Sequence, residues 1–125
     1  MSSTRGWILV VDDHVAMAEN IAEMFEMGGY RASVAESAEE ALALLTEKIS
    51  ALITDFRMSA WNGAELIAEI RRRGSGIPAV VMTAYSDEET HNACTKAGAL
   101  AVLPKPVEIS RLLALVSGAV SGLDP

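Results

Sequence analysis

Ile8-Leu9-Val10-Val11-Asp12-Asp13 decides how the rest of the chain is read. Four apolar residues have the length and branching of a buried strand, and two carboxylates follow at once. Three more runs repeat the arrangement. Ala51-Leu52-Ile53-Thr54 leads into Asp55, Ala79-Val80-Val81-Met82 into Thr83-Ala84, and Leu100-Ala101-Val102-Leu103 into Lys105-Pro106. In an open parallel sheet, ligands bind at the carboxyl ends of the strands. The spacing therefore gathers three carboxylates, one hydroxyl and one ammonium into one crevice. Such a crevice suits a divalent cation and a phosphoryl group.

Helical periods fill the intervals between these runs. Val15–Met27 carries Met17, Ala18, Ile21, Ala22, Met24 and Phe25 at spacings of three and four, and Gly28-Gly29 stops it. Arg31–Ala35 is a short, less apolar strand, expected at a sheet edge. Ser37 with Glu40 forms a capping box for a second helix, whose inner face is Ala41, Leu42, Leu44 and Leu45. Gly63–Arg73 is a third helix, with Leu66, Ile67 and Ile70 inward. Ser86 with Glu89 opens a fourth that runs to Lys96 before Gly98. A fifth runs from Glu108 to about Val120 on Ile109, Leu112, Leu113 and Val116, with fraying expected from Ser117-Gly118 onward.

This alternation predicts an α/β, doubly wound (βα)5 fold: a flavodoxin-like three-layer sandwich. Crossovers of this length force parallel strands and right-handed connections. Strand order 2-1-3-4-5 brings Asp12, Asp13 and Asp55 together beside the switch point. Alternation alone leaves the order open; the chemistry of the strand ends selects it.

The 125 residues suit one domain, 1–125, with a core about 7–120 and flexible ends at 1–6 and 121–125. No apolar run approaches the ~18–20 residues needed to span a bilayer. Met1–Arg5 leads into no apolar segment of signal-peptide type, so membrane insertion and secretion are not expected. The single cysteine, Cys94, precludes an internal disulfide and reads as a half-buried helix residue, in keeping with a reducing cytoplasm. A net charge of −7 weighs against direct nucleic-acid binding, which depends on neutralising phosphates. The basic cluster Arg71-Arg72-Arg73 reads as a solvated helix C-terminus.

Three carboxylates this close repel one another unless a cation intervenes. Hard oxygen donors suit Mg²⁺, with Mn²⁺ an alternative, and the ion could bridge the cluster to an incoming phosphoryl group. Asp55, at the end of a central strand, faces the crevice as a nucleophile that could form an acyl phosphate. The Thr83 hydroxyl, the Ala84 N–H and the Lys105 ammonium form a clamp for the phosphoryl oxygens. Taken singly, each has a plainer role: Asp13 a helix N-cap, Thr83 a turn, Lys105 a solvated cation, Pro106 a turn former. The plain roles leave unexplained why complementary groups occupy four strand ends of one crevice.

The set Val10-Val11-Asp12-Asp13, Thr54-Asp55-Phe56-Arg57-Met58 with Gly63, Met82-Thr83-Ala84, Gly98-Ala99 and Pro104-Lys105-Pro106 resembles the receiver domain of two-component response regulators. The resemblance runs from about Trp7 to Val120. It implies that Asp55 accepts a phosphoryl group from a phosphohistidine on a sensor kinase or a histidine phosphotransfer protein. It further implies Mg²⁺ on Asp13 and Asp55 directly, on Asp12 through water, and on the backbone carbonyl of Arg57. Thr83, Ala84 and Lys105 would hold the phosphoryl oxygens, and the Lys105–Pro106 bond would be cis. The implied partners include a downstream effector domain or protein, and a homodimer through the fourth helix, fifth strand and fifth helix. The implied location is the cytoplasm.

Two positions depart from the family pattern. Ser59 follows Met58 where such domains usually carry proline, and Val102 stands where they carry Tyr or Phe as the partner of the threonine switch. Tyr85 is the nearest aromatic to that switch in sequence. Arg57 and Tyr85, each two residues past a site residue, flank the expected water path and would slow loss of the phosphoryl group. Two other functions compete. A receiver-like docking module would bind partners without phosphorylation. An aspartyl-nucleophile phosphatase would need a second carboxylate two residues after the nucleophile, where this chain has Arg57. No phosphate-binding G-x-x-x-x-G-K-[ST] loop occurs.

Overall fold

The computed structural model describes residues 5–84 and 87–121. Strands β1 (Trp7–Val11), β2 (Arg31–Ala35), β3 (Ala51–Asp55), β4 (Ala79–Thr83) and β5 (Ala101–Pro104) alternate with helices α1 (Val15–Met27), α2 (Ala38–Leu44), α3 (Gly63–Arg72), α4 (Glu88–Ala97) and α5 (Ile109–Ser121). All strand pairs are parallel, in the order β2-β1-β3-β4-β5. The sheet is thus the expected one, with β2 at an edge and β1 and β3 side by side.

Period-2 alternation divides each strand between two cores. Ile8, Val10, Ile53, Val80, Met82 and Leu103 face Ala18, Ile21 and Phe25 of α1 and Leu112 and Val116 of α5. Leu9, Val11, Leu52 and Val81 face Ala38 and Ala41 of α2, Leu66, Ile67 and Ile70 of α3, and Cys94 of α4. Burial on both faces is why these strands read as unbroken apolar runs. Each fully buried Leu, Ile or Phe contributes roughly 1.5–3 kcal/mol.

Helix phases differ from the expectation in places. Met17 and Met24 are 47% and 38% exposed rather than inward. The buried stripe of α1 runs through Ala18, Ile21, Ala22 and Phe25, and both methionines lie roughly 100° round the helix from it. Leu44, also expected inward, is exposed because α2 buries only Ala38 and Ala41 before Leu45 leaves the helix in an extended conformation. Cys94 is fully buried rather than half-buried, since it supplies the inner face of α4. Burial pushes its thiol pKa up.

The helix ends are set by local chemistry. Ser37 accepts from the Glu40 N–H, while Glu40 accepts from the Glu36 N–H, a box shifted by one residue. Asn62 and Glu65 form a complete capping box for α3 that the sequence reading passed over. α4 starts one residue later than expected, with Asp87 as its cap, accepting from the Thr90 N–H at 2.7 Å. Ser86, expected to open that helix, lies outside the described residues. Gly98 ends α4 at φ +101°, in the left-handed region that favours glycine. α5 continues through Ser117 and Gly118, expected to fray, as far as Ser121.

Arg71 is not a solvated cap. Its guanidinium donates to the carbonyls of Ser75, Ile77 and Gly98 at 2.8–3.1 Å, tying the end of α3 to the end of α4. Arg72 and Arg73 stay outside and share Glu69, at 2.6 and 2.9 Å. Before β1 starts, Arg5, expected in a loose end, donates to Ser117 Oγ at 2.8 Å and lies over the Tyr30 ring.

Candidate functional site

Four loops at the carboxyl ends of β1, β3, β4 and β5 build one acidic crevice with a single ammonium at its wall. Asp12 follows β1 directly, and its N–H donates to the Ala35 carbonyl, which fixes the strand end. Its carboxylate is fully buried. Oδ1 accepts from the His14 N–H at 2.9 Å, whereas Oδ2 has no hydrogen-bond partner among the described residues. The Asp13 side chain is 42% exposed at the mouth.

Asp55 is the last residue of β3, in register with Met82 of β4, and is only 6% exposed. The Phe56 N–H donates to the Met82 carbonyl, so the strand end is held up to the site. Gly63 allows the returning loop to close: a Cβ there would lie 2.9 Å from the Asp55 carbonyl oxygen. Its N–H donates to the Phe56 carbonyl at 2.8 Å.

Lys105 reaches in from the end of β5. Its Nζ stands 3.2 Å from Asp55 Oδ1 and 3.7 Å from Asp12 Oδ2. The Lys105 N–H donates to the Thr83 carbonyl, and the Lys105–Pro106 bond is cis. Thr83 ends β4 with 2% exposure, and Ala84 follows it at the surface.

The Asp55 carboxyl is raised above the ordinary carboxylate range, first by burial and then by the Asp12 charge. Hydrogen bonding and charge from Lys105, with the Phe56 N–H, oppose that shift without cancelling it. One ligand atom from each of Asp12, Asp13, His14 and Asp55 lies within 4.8 Å of the others. A buried carboxylate oxygen without a donor, in a set of hard oxygen ligands, fits a divalent cation.

Arg57 is exposed, and its backbone bridges to Asn62 across the β3–α3 loop. Its charge also acts on Asp87, whose carboxyl is lowered chiefly by its hydrogen bonds with Thr90 and to a lesser degree by Arg57. Val102 pairs in register with Val81 and packs, partly buried, on the core beneath α3 and α4. Tyr85 lies outside the described residues. The sequence reading missed His14, although its position directly after Asp13 was a usable signal. Gly63 stood in the motif around Asp55, but its close approach to the Asp55 carbonyl depends on how the loop returns.

Comparison with known proteins follows the same lines. The model of the response regulator receiver domain matches residues 8–117. A response regulator receiver protein of Anaeromyxobacter sp. is 45% identical over 108 residues, covering 86% of this chain and 45% of that protein. The transcriptional regulatory protein ZraR of Klebsiella oxytoca is 34% identical over 122 residues, covering 97% of this chain and 28% of that one. The chain thus spans less than half the length of these curated relatives. A solved response regulator receiver protein from Pseudomonas putida superposes with a TM-score of 0.86 at 31% identity, over 93% of this chain and 98% of that one. A CheY-like receiver domain from Methanospirillum hungatei gives 0.88 at 26% identity, over 96% of each.

Proposed function

The chain belongs to the response regulator receiver domain family, and on that premise we propose that Asp55 is its phosphoacceptor. The observation that carries this is the position of Asp55: last in a central strand, buried, and 3.2 Å from the Lys105 ammonium. The donor is a phosphohistidine on a sensor kinase or histidine phosphotransfer protein. An Asp55 carboxylate oxygen forms the new P–O bond as the P–N bond breaks, and the departing imidazole keeps the electron pair and takes up a proton.

Asp12, Asp13 and Asp55, with the backbone carbonyl of Arg57, would hold Mg²⁺ or Mn²⁺. The bound ion supplies neutralisation of the carboxylates and of the transferring oxygens. Lys105 stabilises negative charge on the phosphoryl group from the side facing Asp12. Thr83 and the Ala84 N–H hold its remaining oxygens. Water later hydrolyses the acyl phosphate, so the chemistry is confined to the protein's own phosphorylation and dephosphorylation. Arg57 and Tyr85 limit that hydrolysis. The phosphorylated domain changes its binding to an effector domain or protein, in the cytoplasm and without direct contact to nucleic acid or insertion into a membrane. The face of α4, β5 and α5 also serves a homodimer.

A second reading is favoured by one residue. Val102 leaves the threonine switch without its usual aromatic partner, which suits a docking module that needs no phosphoryl group. Intact-mass analysis after acetyl phosphate with Mg²⁺, beside Asp55→Asn, separates the two. One phosphoryl adduct that is absent from the variant supports Asp55 as acceptor. No adduct on the folded wild-type protein overturns it in favour of the docking module. Repeated turnover of the phosphodonor would instead mark a phosphatase.

A further inference from the structure

We infer that His14 is a ligand to the divalent ion of this site and shifts its preference toward borderline transition metals, Co²⁺ or Ni²⁺, over Mg²⁺. The inference rests on the metal-binding reading of the Asp12–Asp13–Asp55 cluster and adds a nitrogen donor to it.

Three observations carry it. His14 Nδ1 stands 3.5 Å from Asp12 Oδ1 and 3.4 Å from Asp13 Oδ1. Adjacent donors around one first-row ion with bonds near 2.0–2.1 Å are separated by about 3.0–3.4 Å, so a small movement suffices for His14 and Asp13 to share an ion. Second, His14 is the N-cap residue of α1 yet makes no side-chain capping hydrogen bond. Capping therefore does not explain why its ring turns toward the carboxylates. Third, the buried Asp12 carboxylate divides its oxygens: Oδ1 faces His14, while Oδ2, without a hydrogen-bond partner, faces Lys105. The imidazole and the ammonium thus flank the acidic cluster from different sides, and the His14 side does not require moving Lys105.

The chemical consequence follows from ligand type. Carboxylate, carbonyl and water ligands suit Mg²⁺ and Mn²⁺, whereas imidazole strengthens binding along the series toward Ni²⁺. Mg²⁺ gains little from a nitrogen donor and keeps its waters.

The side chain of His14 is 78% exposed, so His14→Ala leaves the core untouched. The test loads wild type, His14→Ala and His91→Ala with Mn²⁺ alone and reads pulsed EPR, then titrates Mg²⁺ and Ni²⁺ calorimetrically. We expect nitrogen coupling from a bound imidazole in wild type and His91→Ala, and none in His14→Ala. Ni²⁺ affinity should fall roughly tenfold or more in His14→Ala while Mg²⁺ affinity stays within about twofold. An imidazole that only pairs with the carboxylates gives no nitrogen coupling, and that result overturns the inference. Equal losses for both ions overturn it too, and either leaves the carboxylate site standing. Failure of every ion to bind wild type overturns the carboxylate site as well.

Discussion

Lys105 Nζ lies 3.2 Å from Asp55 Oδ1 and 3.7 Å from the donorless Oδ2 of Asp12, so one ammonium answers two buried carboxylates. Lys105→Met removes that cation and leaves both charges facing each other in a low-dielectric crevice. Phosphoryl uptake from acetyl phosphate should slow by about 10²–10³-fold, the usual effect of deleting one stabiliser of developing charge. A rate within twofold of wild type, measured by intact mass against time, would show that Lys105 does not touch the transferred group.

Burial and Asp12 together raise the Asp55 carboxyl, and the sign of the stability effect follows. Between the ordinary carboxylate pKa, about 3.9, and the raised value, the folded state binds more protons than the unfolded one. Stability is therefore lost as pH rises through that window. Asp55→Asn carries no such charge. In chelator, the variant should melt above wild type at pH 7, and the gap should close below about pH 4. Thermal melts across that range check it; a wild type more stable at pH 7 would mean that Lys105 outweighs burial.

Gly63 leaves no room for a side chain against the Asp55 carbonyl. Gly63→Ala should push the end of β3 or the start of α3 aside, at a cost of roughly 1–3 kcal/mol. Because the displaced backbone carries Asp55, phosphoryl uptake should slow as well. Urea unfolding and phosphorylation rates measured on the same preparation test both halves. A stable variant with slow uptake would still place the strain at the site; unchanged stability and rate would refute it.

Arg71 serves three carbonyls at the ends of α3 and α4. Arg71→Met keeps much of the stem and deletes the donors, and should cost about 1–3 kcal/mol. Arg72→Met, which loses only a surface ion pair with Glu69, should cost clearly less. Equal costs for the two, in denaturant unfolding, would contradict the distinction.

The sheet order and the gathering of Asp12, Asp55, Thr83 and Lys105 were legible in sequence because both follow from short local patterns, an apolar run and the residue after it. The phase of each helix was less so. Met17 and Met24 satisfy the same three-and-four spacing as Ala18 and Phe25, and only the sheet beneath decides which stripe turns inward. Arg71 sits among three arginines with nothing local to single it out. Its partners at 75, 77 and 98 come together only when α3 and α4 pack. His14 had the opposite problem. Its place in the chain was visible, but the direction of its ring depends on the Asp12 carboxylate that its own N–H holds.

Arg5 and Ser117 meet at the pole of the sheet away from Asp55, and a Cβ on Gly6 would touch Val120 at 3.4 Å. The entry to β1 and the last turns of α5 are thus near neighbours. A short peptide could join Ser121 to Arg5 and the chain be reopened in a distant surface loop, giving a circular permutant with an undisturbed crevice. By the same geometry, a fluorophore attached at Ser121, where α5 stops, would stand clear of an approaching phosphodonor.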